Sequence, residues 1–156
     1  MTHETFLKLA IKEALEGMRA RAGGPFGAVI VKDDKIIGKG HNTVLKSHDP
    51  TAHAEVNAIR NACNTLEDHH LTGAVIYTNF EPCPMCLSAL YWANIRKLYY
   101  CAGRDVAEKI GFMDNHLYGE VSRSMEEREM VSFKILLGEM DRLLEEWNDM
   151  EGRILY

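Results

Sequence analysis

The chain has 156 residues, of which 46% are apolar and 26% are charged, with a formal net charge of −5. This balance is typical of a globular domain and excludes a chain that is disordered, collagenous or coiled-coil throughout. Residues 119–156 carry the whole acidic excess, and lysine and arginine form no cluster. A nucleic acid partner is therefore not expected, because its phosphates require clustered positive charge.

The predicted elements alternate between helices and strands. A helix is expected over 4–21, where apolar residues recur at helical spacing until Gly23-Gly24-Pro25. Residues 26–32 and 36–42 predict a β-hairpin. The next helix is expected to begin at Asp49-Pro50, with the acid as its cap and proline at its first position. Further strands are predicted at 74–80, 97–102 and 131–137, further helices at 84–93 and about 140–147, and short helices and loops at 103–128.

Two strand–helix alternations follow the hairpin, and this order predicts the fold class. It indicates a three-layer α/β/α domain whose mixed sheet has about five strands and helices on both faces. Because there is no linker, repeat or low-complexity stretch, residues 1–156 are expected to form a single domain. No apolar run approaches the roughly 20 residues of a membrane span, and the first residues lack the apolar core of a signal peptide.

Two short motifs stand at predicted helix starts. They are His53-Ala54-Glu55 and, later, Pro82-Cys83-Pro84-Met85-Cys86. Each is weak alone, but the pair is the pattern of zinc-dependent nucleobase deaminases. Cys83 and Cys86 are three residues apart, so both sulfurs lie on one face of a helix, and the positive end of that helix favours thiolates. His53 supplies the third ligand.

Three protein ligands leave the fourth position of a tetrahedral zinc ion open to water. Zinc lowers the pKa of such a water towards about 7, which makes an open site catalytic. Glu55 is expected to reach the water from the first turn of its helix, without binding the metal, and to move protons. Two alternatives are a structural zinc site and a redox Cys-x-x-Cys pair. Glu55 argues against a structural zinc-binding module, which has no use for an acid beside its metal.

The chain resembles the cytidine and deoxycytidylate deaminase superfamily, and within it the bacterial guanine deaminase branch. The resemblance covers essentially the whole chain and is carried by GGPFGAVIVKD (23–33), DPTAHAEVNAIR (49–60), EPCPMCL (81–87), YWA (91–93), GFMD (111–114) and Tyr156. It implies a cytidine-deaminase-like fold and the hydrolysis of guanine to xanthine and ammonia. It also implies one zinc ion per subunit, a homodimer, and a C-terminal tail, about 151–156, that reaches the partner subunit. A cytoplasmic location is expected because four cysteines, two of them in one short motif, fit a reducing compartment better than a disulfide framework.

The resemblance also implies roles for particular residues. Glu55 and Asp114 are the expected proton carriers, and Asn42 is suited to the edge of a purine because it both donates and accepts. The remaining expected substrate contacts are Phe26, Ala54, Trp92, Phe112 and Tyr156. Asn79 and Phe80 depart from the pattern, because related chains more often have small polar residues there. Alternative activities are tRNA adenosine deamination and deamination of another small heterocycle of the cytosine type, since the hydrolytic machinery is shared.

Overall fold

The computed structural model describes residues 1–156, which form two compact units, residues 1–119 and 120–156. No helix in it is both long and apolar enough to cross a membrane. In chain order the elements are α1 (His3–Arg19), β1 (Gly27–Lys32), β2 (Lys35–His41), α2 (Val44–Ser47), α3 (Ala54–Leu66), β3 (Val75–Phe80), α4 (Pro84–Trp92), β4 (Lys97–Ala102), α5 (Arg104–Lys109), α6 (Asp114–Ser122), a 3₁₀ turn (Met125–Glu127) and α7 (Glu139–Asp149).

The first unit is built on a mixed four-stranded sheet with the strand order β2-β1-β3-β4. Strand β1 runs antiparallel to both of its neighbours, whereas β3 and β4 are parallel. The start of β1 and the ends of β2, β3 and β4 therefore lie along one edge of the sheet. The segments that carry the sequence motifs of this unit leave or enter the sheet at that edge.

Helices cover both faces of the sheet, as the sequence predicts. On one face, Phe6 and Ala10 of α1 pack against Val29 and Val31 of β1 and against Tyr77 of β3. On the other face, the core combines small residues of α3 with residues of the sheet and of α4; its members include Ala54, Ala58, Ala62, Ile30, Ile76 and Leu90. Alanines at every fourth position of α3 allow that helix to lie close to the sheet.

The structure corrects two predictions about the elements. The sheet has four strands rather than about five, because residues 131–137 form no strand and are exposed along their whole length. Their β-branched and aromatic composition is not sufficient, since a strand also needs a partner to pair with. The helix predicted to begin at Asp49-Pro50 is α3, and it begins at Ala54. The Asp49 carboxylate instead accepts hydrogen bonds from the N–H and hydroxyl of Thr51, which forms a turn.

The second unit, residues 120–156, contains the predicted final helix α7. Its apolar residues recur at helical spacing, yet every residue of the unit is exposed except Glu120 and Arg128, which are partly buried. Between residues 130 and 147 the exposed apolar side chains are those of Met130, Val131, Phe133, Ile135, Leu136, Leu137, Met140, Leu143, Leu144 and Trp147. Such a set is far larger than the scattered apolar residues of an ordinary surface and is typical of an interaction surface.

Candidate active site

His53, Cys83 and Cys86 converge at the starts of two helices. His53 is the N-cap of α3 and Cys83 is the N-cap of α4, with Pro84 as the first residue of that helix. The Nδ1 atom of His53 lies 3.6 Å from the Sγ of Cys83 and 3.5 Å from the Sγ of Cys86. Both cysteines are buried. The sequence therefore brings together one imidazole and two sulfurs, as predicted.

This donor set fits zinc. Bond lengths of about 2.3 Å to sulfur and 2.0–2.1 Å to nitrogen in a tetrahedral site place nitrogen and sulfur about 3.5 Å apart. The His53 to sulfur distances of 3.5 and 3.6 Å match that separation. The cluster of potential ligands consists of these three side chains, so it has the three-ligand composition of catalytic zinc sites rather than the four of structural ones.

The side chains of the cluster shift one another's pKa values in a way that favours binding of a cation. Hydrogen bonding with Cys86, and then with His53, lowers the pKa of Cys83 to about 4 in spite of its burial. The hydrogen bond to Cys83 in turn raises the pKa of His53. Cys83 is therefore a thiolate at neutral pH even without a metal. Cys86 keeps its proton at neutral pH, because its hydrogen bonding with Cys83, and then its burial, raise its pKa.

Glu55 is placed beside the sulfurs by the geometry of the helix start. His53 has an extended backbone conformation, with φ of −70° and ψ of 159°, so helical periodicity does not apply between it and Glu55. The Oε2 atom of Glu55 accepts a hydrogen bond of 3.4 Å from the Cys86 thiol. Glu55 is only 7% exposed, and this burial raises the pKa of its carboxyl group. A carboxyl with a raised pKa is suited to carrying a proton near neutral pH.

A small cavity of about 40 Å³ opens onto this cluster. Its lining residues are Phe26, Asn42, His53, Glu55, Glu81, Cys83, Phe112 and Asp114. Five residues assigned from the sequence to the substrate or to proton transfer thus lie around one space, together with two of the three metal ligands. The structure brings them from the edge of the sheet at which β1 begins and β2 and β3 end.

The amide of Asn42 has a fixed orientation. Its Oδ1 atom accepts hydrogen bonds from the backbone N–H groups of Gly24 (3.3 Å) and Val44 (3.1 Å). A side chain at Gly23 would collide with this amide, because a Cβ there would lie 2.0 Å from Oδ1. Since the acceptor atom is engaged, the Nδ2 atom remains to face a ligand. Asn42 therefore offers the cavity a hydrogen-bond donor.

Three aromatic rings form a row beside the cavity. The Phe26 ring packs edge-on against Phe112, with centroids 4.6 Å apart, and against Phe80, with centroids 5.1 Å apart. Phe26 and Phe112 line the cavity, whereas Phe80 does not. Phe80 thus packs against the Phe26 ring without lining the cavity, so this residue does not intrude on the space for a substrate.

Asp114 begins α6, and that helix is tied to the loop before Cys83. The hydroxyl of Tyr118, one turn further along α6, donates a 2.9 Å hydrogen bond to the carbonyl of Pro82. Burial, and then the negative charge of Cys83, raises the pKa of Asp114. Sequence reasoning missed Glu81, which lines the cavity while its Oε2 accepts from the backbone N–H of Arg104. Glu81 directly precedes the Pro82-Cys83 motif in the sequence, and this adjacency could have indicated a place near the cluster.

The structure does not bring Trp92 to the cavity. This residue ends α4 and is 66% exposed, eight residues after Pro84, which corresponds to about 12 Å along a helix axis. Ala54 is the first residue of α3, and its side chain is in the core. Tyr156 belongs to the exposed second unit. Substrate contacts of Trp92, Ala54 and Tyr156 stay predictions.

Helices on both faces of a mixed sheet, with a His-Cys-Cys cluster and a buried glutamate at its edge, define a zinc-dependent nucleobase deaminase. Residues 1–102 match the family described as the cytidine and deoxycytidylate deaminase zinc-binding region. The chain belongs to this family, and the predicted fold class and zinc cofactor are confirmed.

Comparison with individual proteins separates two kinds of relative. The chain is 46% identical to the guanine deaminase of Bacillus subtilis over 156 residues, covering 100% of both chains. Its structure also matches the crystal structure of that protein with a TM-score of 0.96, covering 100% of this chain and 99% of the other. A tRNA-specific adenosine deaminase of Aquifex aeolicus is 44% identical over 102 residues, 65% of this chain and 67% of the relative.

Proposed function

We propose that this chain hydrolyses guanine to xanthine and ammonia. The observation that carries the proposal is the single cavity lined by the metal ligands His53 and Cys83, by Glu55, and by the donor, acceptor and aromatic groups of Asn42, Asp114 and Phe26. The full-length similarity to a guanine deaminase supports the choice of base, because the tRNA-specific adenosine deaminase matches only 65% of the chain.

Each side chain near the cluster has a role in this reaction. His53, Cys83 and Cys86 would hold one zinc ion per subunit, which would supply a Lewis acid for the activation of water. Glu55 takes a proton from the attacking water and delivers protons to the ring nitrogen next to C2 and to the departing amino group. Water adds at C2, the C2–N bond breaks, and ammonia leaves, so the atoms balance as guanine plus water giving xanthine plus ammonia.

The remaining lining residues recognise the base. The Nδ2 donor of Asn42 is complementary to the 6-oxo group of guanine and not to the 6-amino group of adenine. The Asp114 carboxylate accepts N–H groups of the base and helps to move a proton to the leaving group. Phe26 and Phe112 stand beside the flat ring, where aromatic contacts hold bases.

The test is ammonia release from a panel of substrates. The panel contains guanine, adenine, cytosine, their nucleosides and a short tRNA stem-loop. We expect turnover of guanine, with Asp114→Ala losing most of it while keeping the zinc. Preferred release from the stem-loop supports the tRNA adenosine deaminase alternative instead, and preferred release from cytosine supports a cytosine-type enzyme. Zinc without turnover of any substrate leaves a structural zinc-binding module.

We also propose that residues 1–156 act as a single deaminase domain within a cytoplasmic homodimer. The exposed apolar residues of 130–147 are expected to be buried in an interface, and a second copy of the chain is the simplest partner. In that dimer the tail 151–156 reaches the partner's cavity, where Tyr156 closes over the base. The ligand thiols of Cys83 and Cys86 have to stay reduced, which agrees with a cytoplasmic location.

Light scattering gives the mass in solution, and truncation tests the tail. We expect the mass of a dimer. Deleting Tyr156 should raise KM for guanine or lower kcat without changing the mass. A monomeric mass contradicts the dimer, and unchanged kinetics contradict a role for Tyr156 at the cavity.

A further inference from the structure

Asn79, the last residue but one of β3, holds the segment that carries Phe26 at both ends. Its Oδ1 atom accepts a 2.8 Å hydrogen bond from the N–H of Gly27, and its Nδ2 atom donates a 2.8 Å hydrogen bond to the carbonyl of Pro25. The two bonded residues stand immediately before and after Phe26. One amide thus constrains the backbone on either side of a residue that lines the cavity.

This amide continues the sheet beyond its backbone pairing. The antiparallel pairing of β1 and β3 ends at Ala28 and Thr78, so Gly27 is the next residue on one strand and Asn79 the next on the other. The Thr78 hydroxyl donates to the carbonyl of Phe80 (2.6 Å), which occupies that backbone acceptor. Beyond the end of the β1–β3 pairing, the Asn79 side chain therefore provides both a donor and an acceptor to the Phe26 segment.

The constrained segment contributes to two groups proposed to recognise the base, the Phe26 ring and the Asn42 amide. The Phe26 ring is one of its walls. The Phe26 carbonyl accepts a 3.0 Å hydrogen bond from the backbone N–H of Asn42, and the N–H of Gly24 holds the Asn42 side-chain amide. The two side-chain hydrogen bonds of Asn79 run to Gly27 and Pro25, and neither involves a metal ligand or Glu55.

We propose that Asn79 is a positioning residue that sets the affinity for the purine. It holds the backbone around Phe26, and through it Asn42, and does not act on the metal ligands or Glu55. The proposal rests on the proposed guanine deamination for the identity of the purine. It predicts an effect on KM with little effect on kcat.

The experiment combines kinetics with binding of an inert purine. Asn79→Ala should raise KM for guanine about tenfold, the effect of losing roughly one net hydrogen bond of positioning, with kcat changed less than about twofold. Affinity for hypoxanthine, which keeps the 6-oxo group but lacks the 2-amino group, should fall by a similar factor in calorimetry. Zinc content should not change. A change in kcat or zinc content with KM unaltered overturns the proposal.

A double-mutant cycle separates positioning from a merely structural role. If Asn79 acts through Phe26, the effect of Asn79→Ala on KM should largely vanish in a Phe26→Leu background. Full additivity overturns the proposal. Asn61→Ala is the matched control, because Asn61 also donates a 2.8 Å bond to a backbone carbonyl, that of Lys39, and does not line this cavity.

Two further outcomes are distinguishable. If Asn79→Ala does not fold, Asn79→Asp retains the acceptor for Gly27 and loses the donor to Pro25, so it should still raise KM and weaken hypoxanthine binding. Unchanged values in that variant overturn the role of Asn79. Failure of the unaltered chain to release ammonia from guanine overturns the proposed function, whereas normal turnover with no effect at Asn79 overturns only this inference.

Discussion

The Oε2 atom of Glu55 lies 3.4 Å from the Sγ of Cys86. A carboxyl group in contact with one of the metal-binding sulfurs, and buried with it, is within reach of a water molecule at the metal. It does not belong to the His53-Cys83-Cys86 cluster itself. This arrangement gives the acid and the metal separate tasks.

Replacing Glu55 with glutamine tests that separation. Glu55→Gln keeps the size of the side chain and a hydrogen-bond acceptor for the Cys86 thiol but cannot carry a proton. We expect kcat to fall by about 10²–10⁴-fold, the usual contribution of a general acid–base group. Zinc content, measured by elemental analysis, should stay the same. Retained turnover removes Glu55 as the proton carrier.

Replacing Cys86 with serine tests the metal site. The side chain is fully buried, and the hydroxyl of serine is a much weaker zinc ligand than a thiolate. We expect Cys86→Ser to lose both zinc and turnover after dialysis. Cys101→Ser is the control, because Cys101 is exposed and lies outside the cluster. Normal zinc in the Cys86 variant contradicts the assigned ligand set.

The sequence predicted best those features that depend on local rules. Strand β4 has the predicted bounds, 97–102, because its apolar β-rich run is followed directly by a glycine. The His-Cys-Cys cluster followed from donors at two helix starts, a position with its own capping chemistry. The start of α3 was wrong, because Asp49 and proline form a cap signal that a turn satisfies equally well. The strand at 131–137 was wrong because pairing is not a local property.

The arrangement of the cavity could not be predicted from local spacing, because it depends on contacts between segments that are distant in the sequence. The orientation of Asn42 depends on the N–H of Gly24, 18 residues away, and the clamp on Phe26 depends on Asn79, which bonds to Gly27 across 52 residues. No spacing rule relates these positions. Trp92 does not line this cavity within the same chain, and its contact with the substrate stays a prediction.

The fixed amide of Asn42 predicts a strong effect of a small change. In Asn42→Asp the carboxylate still accepts from Gly24 and Val44, but its second oxygen replaces the Nδ2 donor. We expect KM for guanine to rise at least about tenfold, because that oxygen faces the 6-oxo group and leaves it unpaired. Steady-state kinetics and zinc content measure the outcome together. An unchanged KM means that Asn42 does not contact the base.

The last prediction concerns the metal-free protein and follows from the pKa of Cys83, which is lowered to about 4. Between about pH 5.5 and 8 this thiol is ionised throughout, so its alkylation by iodoacetamide should hardly depend on pH after zinc has been removed. Burial raises the pKa of Cys63, so alkylation of Cys63 should increase about tenfold per pH unit over the same range. Peptide mass spectrometry measures both sites in one sample.

Reloading zinc should protect Cys83 and leave Cys63 unchanged, because only Cys83 belongs to the metal cluster. A rate at Cys83 that increases about tenfold per pH unit, in parallel with Cys63, contradicts the lowered pKa. It also removes the argument that the helix start and its neighbours prepare this sulfur for a cation before the cation arrives. Protection of both cysteines by zinc points to a change in folding rather than to direct ligation, since Cys63 is in the interior of α3.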